Sequence, residues 1–141
     1  MRFSDRVYVV TGAGSGIGEA AAKKLAGEGG KVIVADVDDQ GGTRVVSEIE
    51  AAGGTASFVH IAVSQEGDAE KMVEFAVATY GRLDGAINNA GVGQPVKNIH
   101  EMSTADWDRV HSIDLRGAFF GSATFNANDE IDFDDVFADA T

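Results

Sequence analysis

Val7-Tyr8-Val9-Val10 runs straight into Thr11-Gly12-Ala13-Gly14-Ser15-Gly16-Ile17-Gly18, and this junction decides the fold. The first four residues are β-branched or aromatic, the composition of a parallel strand buried on both faces. From Ile17 to Ala26 the spacing is helical, with Ile17, Ala21 and Leu25 four apart on one face. Between strand and helix, glycines permit a sharp turn and let a ligand approach the backbone closely. A helix that starts from such a turn offers free N–H groups and the positive end of its dipole, which suits a pyrophosphate. The bland alternative is a tight turn that binds nothing. Strand, turn and helix in the right order favour binding, with Gly12, Gly14, Ser15, Gly16, Ile17 and Gly18 as the contact residues.

The alternation continues outward. Gly29-Gly30 stops the first helix, and Lys31-Val32-Ile33-Val34-Ala35 is a second buried strand ending at Asp36. Gln40 to Ala51 reads as a second helix, with Val45, Ile49 and Ala52 as its apolar face and Gly53-Gly54 as its stop. Thr55 to Ile61 is a third strand, and Asp68 to Tyr80 a third helix carrying Met72, Phe75, Ala76 and Tyr80 inward. Leu83 to Ile87 is a fourth strand, leading into Asn88-Asn89-Ala90-Gly91. Ser103 is an N-cap with Asp106 three positions on. The longer helix that follows is predicted to face inward with Trp107, Val110, His111 and Leu115. Strands alternating with helices of this length imply an α/β fold with a parallel sheet and right-handed crossovers.

Asp36 ends the second strand, 18 residues after Gly18. A carboxylate there accepts hydrogen bonds from adenosine ribose hydroxyls and repels the 2'-phosphate of NADP. Neither Ser15 nor Val37 supplies a cation to attract that phosphate, so the expected cofactor is NAD. The competing role for Asp36 is to cap the turn that follows.

Composition narrows the function classes. The 141 residues are 44% hydrophobic and 24% charged, as in a soluble globular domain. A net charge of -12 argues against a nucleic-acid partner held by a basic surface. No apolar run approaches the roughly 20 residues of a membrane span, and the polar start Met1 to Arg6 lacks the apolar core of a signal peptide. With no cysteine, disulfides and thiolate metal sites are excluded. His60, His100 and His111 have no ligand-like spacing, so no metal is expected. The expected compartment is the cytoplasm.

Thr11 to Gly18 matches the TGxxxGIG fingerprint of the short-chain dehydrogenase/reductase family, and Asn88-Asn89-Ala90-Gly91 matches its NNAG motif. The chain resembles that family from near Arg2 to about Gly121. The resemblance implies a Rossmann-type doubly wound parallel sheet, strand order 3-2-1-4, with helices on both faces. It also implies hydride transfer between NAD(H) and an alcohol/carbonyl pair of small molecules. On the family pattern Asn89 helps hold the central sheet, while Ala90 and Gly91 lie near the adenosine ribose and its linker. Two departures stand out. Where the family carries Asp-Val after the third strand, with the Asp contacting the adenine amino group, this chain has Ala62-Val63. Where the family carries a catalytic Asn, which lends its backbone carbonyl to a proton relay, this chain has Asp114.

The family's Ser and Tyr-x-x-x-Lys are missing from these 141 residues. Tyr8 and Tyr80 are the only tyrosines, and four residues after them stand Gly12 and Asp84. The expectation is therefore a truncated NAD-binding domain over 1–121 that is inactive alone, followed by an acidic, disordered tail over 122–141. That segment carries six acidic residues and no Lys or Arg. The rival readings are a non-catalytic nucleotide-binding fragment and an interaction protein acting through the tail. Within the tail, 124–135 weakly resembles a calcium-binding EF-hand loop. A fourth strand without an outer neighbour leaves an open edge, so self-association is expected.

Overall fold

The computed structural model describes residues 1–127. β1 (Val7–Thr11), α1 (Gly16–Gly27), β2 (Lys31–Asp36), α2 (Asp39–Ala51), β3 (Thr55–His60), α3 (Glu66–Tyr80) and β4 (Gly85–Ile87) alternate along the chain. The four strands are all parallel, in the order β3-β2-β1-β4. This is the parallel sheet that the alternation of strands and helices implied, in the Rossmann-type order that the family resemblance implied.

Continuous apolar strands make sense because both faces of the sheet are covered. On one face Val9 and Ile33 pack with Met72, Val73 and Ala76 of α3. On the other, Val10, Val32 and Val34 pack with Ala22 and Leu25 of α1 and Val45 and Ile49 of α2. Each of the Val, Ile, Leu and Met side chains contributes about 1.5–3 kcal/mol when fully buried. β4 is shorter than predicted. Leu83 is buried in the core, and Asp84 bonds Val7 twice, its N–H donating to the Val7 carbonyl at 2.8 Å and its carboxylate accepting the Val7 N–H at 2.7 Å.

The last helix differs most from its sequence pattern. Ser103 and Asp106 form the predicted capping box, each side chain bonded to the other's backbone N–H. α4 (Thr104–Val110) then passes through a π-helical turn at His111–Leu115 into α5 (Arg116–Ala127). The extra residue in that turn shifts the register by about one position, so the inward face does not follow a uniform period. Trp107 and Leu115, predicted to face inward, are 53% and 67% exposed. Trp107 stacks on His111 instead, with ring centroids 4.0 Å apart.

α5 also crosses the boundary expected at Gly121. Gly121 is buried against the Asn88 side chain, Ser122 accepts a hydrogen bond from Asn88 at 3.1 Å, and Phe125 is buried with the α3 core. The folded part thus reaches at least Ala127, because Phe125 supplies apolar area that composition alone did not assign to the domain. The acidic residues from Asp129 onward, and most of the EF-hand-like segment, lie outside the described residues.

Candidate active site

The carboxyl ends of the four strands open on one cleft of about 470 Å³. Doubly wound sheets place their ligands at this edge. Of the residues predicted from sequence, the structure brings Gly12, Ser15, Gly16, Ile17, Asp36, Ala62, Val63, Asn89, Ala90 and Gly91 to its walls. Val37, Ile61, Val92 and Ile113 add an apolar lining.

Gly14 and Gly18 do not line the cleft. They shape it from beneath. Gly18 is buried where α1 sits on the turn, and a β-carbon there would lie 2.3 Å from the Gly12 carbonyl oxygen. Gly12, with φ of 65°, lies so near Ala90 that a β-carbon would come within 2.8 Å of its Cα. Ile17 shares a four-residue spacing with Ala21 and Leu25, yet it is 82% exposed and lines the cleft, while Gly18, Ala22, Leu25 and Ala26 form the buried face. Ser15 precedes α1 without capping it through its side chain. The first-turn N–H groups, which have no partners within a helix, are thus not taken up by that side chain, and Gly16 and Ile17 stand in the cleft wall.

Asp36 plays the capping role weighed for it and also stands in the cleft wall. Its Oδ2 accepts the Gly14 N–H at 2.8 Å and its Oδ1 accepts the Asp38 N–H at 3.0 Å. It caps the turn, and it is the only charged residue on the cleft wall among the described residues. Each carboxylate oxygen accepts more than one hydrogen bond, so these backbone bonds leave capacity for a ligand hydroxyl.

The Asn88–Gly91 loop is tied to the glycine turn by Thr11, which the sequence reading quoted but did not count as a site residue. Thr11 is buried, and its Oγ1 accepts the N–H groups of Asn89 and Ala90, each at 3.0 Å. Asn89 Nδ2 donates to the Thr11 carbonyl at 3.1 Å. A hydroxyl at the end of a buried strand was the available signal. Asp68 was missed too. It accepts the Ala62 N–H at 2.8 Å and so orders the loop after β3. Asp114 lies beside the site, not in its wall. Its Oδ1 accepts the Val92 N–H at 2.8 Å, holding the far end of the same loop.

Arg44 is the third residue missed. It reaches from α2 to the glycine turn, where Nη2 donates to the Gly14 carbonyl at 3.1 Å and to Glu19 Oε2 at 2.7 Å. Its Nη1 donates to Glu48 at 2.8 Å, and Lys23 bridges the same two glutamates. Hydrogen bonds from Arg44 first, then Lys23, hold the Glu19 carboxyl down at about 2, so this clamp stays ionised through the neutral range. The Glu48 spacing announced an i,i+4 pair; nothing local announced Gly14, 30 residues away.

The family model for short chain dehydrogenases matches residues 6–128. The chain belongs to that family. It is 40% identical over 122 residues to the mitochondrial borneol dehydrogenase of Lavandula x intermedia, covering 86% of this chain and 45% of that protein. Among solved structures of the family, a short chain dehydrogenase/reductase from Burkholderia phymatum in complex with NAD superposes with a TM-score of 0.85 and 35% identity. That match covers 90% of this chain and 45% of the other. A metagenomic short-chain oxidoreductase in complex with NADP gives 0.84 and 34%, covering 90% and 57%. The chain thus spans about half the length of the short chain dehydrogenases it matches. Among the described residues, no helix is long and apolar enough to cross a membrane, and no group of three or more potential ligands is set to hold a metal.

Proposed function

We propose that this chain is the NAD(H)-binding part of a short-chain oxidoreductase acting on an alcohol/carbonyl pair. The observation that carries the reading is the meeting, in one cleft, of an uncapped helix N-terminus with Asp36 as the charged wall residue. The fit to a dinucleotide is good. The α1 N–H groups face where a pyrophosphate would lie, and at Gly16 (φ of 58°) a β-carbon would meet nothing within 4 Å. Asp36 would hold the ribose hydroxyls, and Ile17, Val37, Ala62 and Val63 would flank the adenosine and linker. One solved relative holds NAD and another NADP, so the preference for NAD rests on Asp36 and on the lack of a cation in the cleft wall.

When bound, the nicotinamide supplies the hydride donor or acceptor. The chain's own residues bind and orient; among the described residues none is placed to exchange a proton as the family's Tyr/Lys pair does. Tyr80 is bonded to Ser57 at 2.9 Å, Tyr8 packs edge-on against Phe3 at 5.4 Å, and neither lines the cleft. Asp114 at the family's Asn position orders the Gly91–Val92 loop. This favours, for the isolated chain, a binding module without turnover. Calorimetry is expected to show NADH bound more tightly than NADPH, and purified chain is expected to form no NADH from secondary alcohols above background. Equal affinities would remove the NAD assignment. Turnover would mean an acid–base group elsewhere in the chain.

We also infer that the chain self-associates. Among the described residues the outer edge of β4 is unpaired, beside exposed Ile87 and a helix face exposing Leu115 and Phe119. Unpaired strand edges template association. Sedimentation at micromolar concentration is expected to show species larger than a monomer; a monomer at both low and high salt would refute this.

A further inference from the structure

Gly14, in the middle of the turn, is held from both sides by side chains of opposite charge. Its N–H donates to Asp36 and its carbonyl accepts from Arg44, at 2.8 and 3.1 Å. Its seat is closed. A β-carbon on Gly14 would lie 2.9 Å from Asp36 Oδ2, and one on Gly41 would lie 2.8 Å from the Gly14 carbonyl oxygen. Two adjacent glycines in the first turns of α2 cost helix stability. They allow α2 to press against the turn and against Phe58, which a β-carbon on Gly42 would strike at 2.1 Å. That close approach brings Arg44 within reach of Gly14.

The ion pairs around Arg44 are largely exposed and add little to stability by themselves. Their geometry is more telling. Glu19 and Glu48 hold the guanidinium fork so that Nη1 donates to both glutamates and Nη2 to Glu19 and Gly14. A lysine ammonium, as a point charge, cannot reproduce that fork. Arg44 itself does not line the cleft.

We propose that Arg44 is a positioning residue for cofactor recognition: it fixes the Gly14 peptide, and through that peptide's N–H it fixes the orientation of the Asp36 carboxylate. The cofactor half of this inference rests on the cleft being the NAD(H) site. The peptide half does not.

Two measurements on the full chain separate them. Without cofactor, amide exchange by NMR in Arg44→Met is expected to run about tenfold faster at Gly14, with the β1 and β2 amides unchanged. With NADH, titrated at about 0.5 M salt to screen the altered surface charge, Arg44→Met is expected to weaken binding about tenfold. In an Asp36→Ala background the same change should cost at most about twofold, the non-additivity of residues acting through one another. Lys24→Met removes the same charge from an exposed ion pair with Glu28, outside the clamp and the turn, and should leave both readouts unmoved. If Arg44→Met fails to fold, Arg44→Lys makes the same comparison, with an intermediate loss expected at Gly14. Unaltered Gly14 exchange overturns the proposal, and so does an equal NADH penalty in both backgrounds. If the unmodified chain does not bind NADH, the cofactor reading and the cofactor half fall together, and Gly14 exchange alone decides the peptide half.

Discussion

Asp36→Arg is expected to convert a chain that prefers NAD(H) into one that prefers NADP(H), with Asp36→Ala narrowing the gap between them. The two cofactors differ at the ribose 2' position, and the end of β2 is where that position is read in this fold. With Asp36 in place, a ribose diol gains charge-assisted hydrogen bonds, each worth about 1.5–3 kcal/mol. A phosphate at the same point meets a carboxylate in a wall with no compensating cation among the described residues. Asp36→Ala removes both effects, so NADH should weaken by about 10–100-fold while NADPH weakens less or improves. Arginine adds a fork that matches a phosphate. Both substitutions also release the N–H groups of Gly14 and Asp38, which lowers stability. The ratio of the two affinities is therefore the quantity to compare, beside a Tm for each variant. A ratio that stays put in both variants would show that Asp36 only caps the turn.

What the sequence made legible follows from what is local. The order of the elements, the parallel sheet and the cleft at its carboxyl edge came from apolar strands separated by helical periods, because the central strands β1 and β2 are covered on both faces and need no polar alternation. Ile17 has the spacing of the apolar stripe yet lies outside the buried face for a physical reason. Its four-residue spacing to Ala21 and Leu25 is genuine, but the first turn of α1 overhangs the cleft, so a residue in phase with the apolar stripe there meets open space. The buried face begins instead at a glycine, which no hydrophobic pattern counts. Trp107 and Leu115 were misplaced because a π-helical turn at His111–Leu115 breaks the period between them, and no hydrogen-bond register is written in side-chain polarity. The Arg44–Gly14 contact was hidden because it joins segments 30 residues apart. Gly41-Gly42 inside a helix was the one visible hint that another backbone comes close.

Gly18→Ala is expected to cost both stability and cofactor binding, and to cost them together. The added methyl would sit 2.3 Å from the Gly12 carbonyl oxygen and 2.6 Å from Asn89 Nδ2. The first of these is backbone. The second belongs to a side chain already committed to the Thr11 and Gly12 carbonyls, at 3.1 and 3.4 Å. Neither neighbour can move without loosening the tie between the glycine turn and the Asn88–Gly91 loop, so α1 must lift from the turn. Overpacking of this kind costs about 1–3 kcal/mol, and a lost hydrogen bond adds about 1 kcal/mol. For a domain of this size that is a fall in Tm of roughly 5–15 °C. Lifting α1 also carries its first-turn N–H groups out of place, and NADH affinity should drop at least about tenfold. Gly67→Ala is the matched control. Gly67 lies in the first turn of α3, its β-carbon would meet nothing within 4 Å, and its φ is not positive. There alanine should raise stability by about 0.4–1 kcal/mol and leave NADH binding alone. Should Gly18→Ala instead melt and bind like the unmodified chain, α1 would not be seated on the turn, and the glycine fingerprint would have no steric basis in this protein.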